Sequence, residues 1–130
     1  MNGQELRLGN FISHNHLGET VSRVTQISHL GICCADIDKA TKWDLGNGDF
    51  FPIPLTDEWL IRFGFEPLEN SLFNIHHRGA FRLYRYDGWN FVYRQADDTN
   101  NKNVPIEYVH QLQNLYFTLT GTELTLNLQP

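Results

Sequence analysis

Cysteine is almost absent from this sequence: Cys33 and Cys34 are the only two in 130 residues. A bridge between neighbours is strained and no third cysteine offers another partner, so a disulfide scaffold is excluded and two reduced thiols are expected. Long apolar runs are missing too. No stretch approaches the roughly 18 residues of a membrane helix, and the opening Met1–Arg7 has neither the basic nor the apolar segment of a secretory signal. The expectation is a cytoplasmic protein with no membrane partner. Positive charge is scarce: 10 Lys and Arg stand against 15 Asp and Glu, a net charge of -5, which argues against bulk binding of nucleic acid. The common catalytic signatures are lacking as well. There is no Gly-rich phosphate loop, GxSxG elbow, HExxH or paired CxxC.

What is present is the chemistry of a folded globule, with 41% hydrophobic and 13% aromatic residues. The length suits one domain spanning 1–130. The most informative stretch runs from Pro52 to Phe65. Thr56 is placed to cap a helix, Asp57 and Glu58 put negative charge on its first turn, and Gly64 is placed to end it. Trp59, Leu60 and Phe63 supply its apolar stripe. The spacing predicts a helix over 56–63, entered through Pro52 and Pro54 in extended backbone.

Strands are expected before it. Candidates are Leu6–Ser13, Thr20–Ser28 and Leu30–Ile37, and Lys39–Asp49 reads as a loop or irregular hairpin tip. Within Thr20–Ser28, Val21, Val24 and Ile27 lie three apart rather than two, which points to a bulge or strong twist. Three further strands follow: Leu72–Arg78, Phe81–Tyr86 and Trp89–Gln95. Asp87-Gly88 between the last two is a strong hairpin signal, because both turn positions tolerate positive φ. Ala96–Asn103 is a polar loop. A second helix is expected over 106–120, with Val109, Leu112, Tyr116 and Leu119 on its apolar face and His110, Gln111, Gln113 and Asn114 on its polar one. Gly121 ends it, and alternating Leu124, Leu126 and Leu128 suggest a final strand. The expected class is α+β: a curved, mostly antiparallel sheet or small open barrel with two packed helices.

Histidines and carboxylates give little. His14 and His16 would share a strand face and offer two metal ligands, but no third is legible, and two solvated histidines near Gly18 is the plainer reading. His76 and His77 point to opposite faces of a regular strand. Asp57 and Glu58 serve the helix, and Asp97 and Asp98 solvate a loop. No catalytic residue, metal or cofactor is therefore assigned, and the protein is expected not to be an enzyme.

The local anomaly is the hairpin. Arg78, Arg82, Arg85 and Arg94 face the single acid Asp87, amid Tyr84, Tyr86 and Trp89. Arg82, Tyr84 and Tyr86 would share one strand face, and Phe81, Leu83 and Arg85 the other. Arginine's planar fork suits phosphate, and tyrosine or tryptophan suits a stacked base. These seven residues form the candidate site for a small anionic ligand. The alternatives are an ordinary solvated hairpin face and a protein-partner surface.

Three segments carry a resemblance: Glu5–Ile12 (ELRLGNFI), Pro52–Phe65 (PIPLTDEWLIRFGF) and Val109–Leu124 (VHQLQNLYFTLTGTEL). In these the chain resembles a family of small phage and prophage proteins of gut-dwelling bacteria that has no assigned catalytic residues. The resemblance implies a protein acting on the host. Some small phage proteins form oligomeric sponges that trap cyclic or ADP-ribose-type immune nucleotides, and that precedent makes a homo-oligomer holding a host nucleotide signal the expected function. Two alternatives stand beside it. One is inhibition of a host protein through the hairpin or the polar helix face around His110, Gln111 and Asn114. The weaker one is a metal-dependent hydrolase.

Overall fold

The computed structural model describes residues 6–14, 20–38, 41–46, 48–67, 74–78, 81–85, 88–93 and 103–126. The class is α+β, with two antiparallel sheets, two helices and no closed barrel among these residues. The chain divides into two units: residues 1–54 with 108–122, and residues 55–107 with 123–130.

The first unit holds β1 (Phe11–Ser13), β2 (Val21–Ser28), β3 (Gly31–Asp36) and β4 (Lys42–Gly46), hydrogen-bonded in that order. Strand β4 falls where a loop or irregular hairpin tip was expected. Its register explains why: Cys34 pairs with Trp43 and Ile32 with Leu45, so two apolar side chains draw an otherwise polar segment onto the sheet. In β2 the register shifts between Val24 and Gln26, leaving Thr25 without a partner on β3. This bulge puts Val24 and Ile27 on one face despite their odd spacing, while Val21, one residue before the inward Ser22, lies on the other. The Val24 face carries a core of Leu6, Ile12, Val24, Ile32, Cys34 and Phe50.

Helix α2 (Val109–Thr120) belongs to this unit and ends at Gly121, whose φ of 72° is left-handed. It begins three residues later than expected because Asn103–Ile106 is extended. Its polar side chains are engaged rather than displayed. Gln111 Oε1 accepts the Tyr108 N–H at 3.1 Å. Asn114 Oδ1 accepts from Arg7 Nε at 3.0 Å and Asn10 Nδ2 at 2.8 Å. The Arg7 guanidinium also lies 4.3 Å from the Phe117 ring centroid.

The second unit holds α1 (Asp57–Arg62) and a five-stranded sheet in sequence order: β5 (Glu66–Pro67), β6 (Asn74–Arg78), β7 (Phe81–Arg85), β8 (Trp89–Tyr93) and β9 (Asn103–Ile106). The helix ends are as read from sequence. Thr56 accepts the Trp59 N–H at 3.4 Å, and Gly64 has a φ of 88°. Trp59, Leu60 and Phe63 are buried. Strands β5 and β9 were not foreseen; both carry a proline and both are edges, where a missing N–H is tolerated. The expected last strand does not form over Leu124–Leu126, which lack regular structure although Leu124 is buried. Leu128 lies outside the described residues.

Candidate functional site

Strand alternation sorts the hairpin into two faces. Phe81 and Leu83 of β7 and Trp89 and Phe91 of β8 are buried on one of them, together with His76 of β6. Arg82 and Tyr84 lie on the other, half-buried. Arg82 stands directly opposite His77, and Tyr84 is flanked by Ile75 on β6 and Asn90 on β8. The wet face therefore presents a row Glu66–His77–Arg82 beside a row Ile75–Tyr84–Asn90–Pro105.

Of the seven expected ligand-binding residues, the five that are described do not converge. Arg78 is spent on the scaffold: its Nη1 donates to the Phe63 carbonyl at 2.5 Å, meeting the carbonyl end of α1 with positive charge. Trp89 is a core residue, 5% exposed, with its indole N–H donating to the Leu55 carbonyl at 3.0 Å. That burial removes it from base stacking. Arg85 is exposed but belongs to the Trp89 side, its guanidinium 5.9 Å from that ring. Arg94 and Tyr86 lie outside the described residues. Arg82 and Tyr84 remain, joined by His77, which sequence reasoning left out. The sequence alone pairs β7 with β8 and leaves β6 unpaired, and it is the β6 register that sets His77 against Arg82.

His76 and His77 do point to opposite sides. His76 is 3% exposed, with its ring edge-on to Trp89 and Nε2 3.9 Å from Asp57 Oδ1. Burial lowers its pKa, against a smaller upward pull from the Asp57 carboxylate. Its Nδ1 has no hydrogen-bond partner.

The first unit holds a polar cluster that the sequence did not announce. Asp36 Oδ1 accepts the Ser22 hydroxyl at 2.6 Å and lies 3.3 Å from His14 Nε2, while the His14 ring packs 4.9 Å from that of Trp43. Hydrogen bonds from Ser22 first, then Trp43 and His14, hold the Asp36 carboxyl below the usual carboxylate range. The residue types are those of a hydrolase triad, but the wiring differs. The buried serine donates to the carboxylate and not to the imidazole, so His14 is not aimed at its proton. Among the described residues no three His, Cys, Asp or Glu side chains gather as metal ligands; His16, the other half of the expected pair, lies outside them.

The rival surface on α2 is also altered. His110 is buried and stacked on Tyr108 at 5.9 Å, and Gln111 and Asn114 are held in the bonds described above. No helix of the described residues is long and apolar enough to cross a membrane. Compared with protein-family models, curated proteins and solved structures, the chain matches none.

Proposed function

We propose that this protein binds, without transforming, a small anionic ligand of the nucleotide class on the wet face of its five-stranded sheet. The observation that carries this reading is the direct pairing of Arg82 with His77, with Tyr84 two residues further along the same face. Arg82 supplies a planar fork for phosphate, His77 a second donor, and Tyr84 a ring on which a base stacks. A sheet face covers only one side of a nucleotide, so a second copy of the chain supplies the other wall. The role as a sponge for a host immune signal in the bacterial cytoplasm rests on the phage resemblance alone.

A second reading draws on the same face. Ile75, Tyr84 and Pro105 form an apolar strip beside the charged row, a pattern suited to a protein partner. Thermal denaturation against cyclic dinucleotides, cyclic oligonucleotides and ADP-ribose derivatives separates the two. A ligand present at 100 times its dissociation constant adds roughly 2.7 kcal/mol to stability. A shift with one class identifies the ligand family; a flat panel overturns nucleotide binding and leaves the protein partner.

A further inference from the structure

We propose that the four-stranded sheet carries a separate site for a small organic cation, an ammonium group on a short apolar stem. An open cleft of about 320 Å³ lies over β2, β3 and β4, lined by Gln26, Ser28, Leu30, Cys33, Asp44 and Leu45, with Gly31, Ile32 and Gly46 beneath. The register explains its origin. Gly31 pairs with Gly46, so a cross-strand step carries no side chains. The step cannot be filled at Gly31, where a Cβ would collide with the Leu45 carbonyl.

One row borders this step. Gln26, Cys33 and Asp44 stand side by side across three strands, and the Cys33 thiol donates to Asp44 Oδ1 at 2.9 Å. Asp44 is the charged group of the lining. The Asp49 carboxylate reinforces it from the rim, its Oδ2 3.2 Å from where a Gly46 Cβ would stand. Positive charge on the same face, Arg23 and Lys42 in the row paired through Ala35, falls outside the lining.

The chemistry follows from these parts. A thiol is a weak donor that occupies one of the roughly four lone-pair positions of a carboxylate, so Asp44 keeps acceptor capacity for a charged N–H donor. The Asp44 carboxylate in turn favours the protonated thiol, which leaves the local charge negative. Leu30 is 73% exposed and offers apolar contact to a stem. A cleft near 300 Å³ is at the lower end of the size of a small-ligand pocket.

The test titrates the full chain with n-butylammonium, and with butyrate as the charge-reversed control, in ¹⁵N–¹H correlation spectra. The expected result is saturable shifts at Cys33, Asp44 and Gly46 with the cation and none with the anion. Asp44→Asn should weaken binding about tenfold or more, the scale of one charge-assisted hydrogen bond. A comparable response to butyrate, an unchanged affinity in the variant, or no saturable response to the cation would each overturn the site.

Discussion

The side-chain oxygen of Gln113 accepts the backbone N–H of Phe11 over 2.8 Å, with both residues buried. The Gln113 amide then donates to the Gly9 carbonyl at 3.2 Å. One helix side chain thus satisfies a donor and an acceptor of the main chain ahead of and within β1, groups that are costly to bury alone. Replacing Gln113 by Leu keeps the volume and strands both. The expected loss is about 1–3 kcal/mol, read from the urea midpoint at constant slope. An unmoved midpoint would show that other groups can take over these bonds.

Arg82 and Arg85 give opposite expectations although three residues apart. Arg82→Ala or Tyr84→Ala should weaken nucleotide binding by roughly 10- to 100-fold, the scale of a lost charged hydrogen bond or stacked base. Arg85→Ala, on the Trp89 side, should leave it unchanged. Isothermal titration of each variant decides this, and equal losses at both positions would refute the single-face site.

Acid should destabilise the second unit through His76. Burial lowers its pKa below the ordinary 6.5, so the unfolded chain takes the proton first. The stability of the neutral form is complete above pH 6.5 and declines as pH falls through the lowered folded value. Melting temperatures measured from pH 8 to 5 should fall for the parent and fall less steeply for His76→Leu. Parallel slopes would exclude His76 as the source.

The two thiols should react differently. Cys34 is buried in the first core, while Cys33 faces the cleft and has its pKa raised above 9.0, first by its hydrogen bond to Asp44. A chromogenic disulfide reagent at pH 8 should modify Cys33 slowly and Cys34 only after denaturation. Asp44→Asn should accelerate the first reaction several-fold, because the thiolate no longer faces a negative partner. An unchanged rate would mean that the thiol–carboxylate contact does not persist in solution.

Features encoded within one element were legible in the sequence. The Thr56 cap, the Gly64 and Gly121 stops, and the Asp87-Gly88 hairpin each depend on residues a few positions apart. Features that need register between distant segments were not. Nothing in the local pattern around Lys42 announces that Trp43 pairs with Cys34, or that Asp36 collects Ser22 and His14. The polar run on α2 misled for the same reason. Gln113 and Asn114 look solvated until Gly9, Asn10 and Phe11 are brought against them. In the hairpin, the alternation of Arg82 and Arg85 was readable, but the burial that assigns Trp89 to the core was not.

Thr25 is supernumerary to its sheet. Residues on either side keep their partners on β3, Val24 with Cys34 and Gln26 with Cys33, as though it were not there. Excising it would join two segments already in phase, whereas removing Val24 or Gln26 would alter the pairing itself. The strand can therefore lose one residue without changing which side chains face the core, a tolerance otherwise expected only of loops.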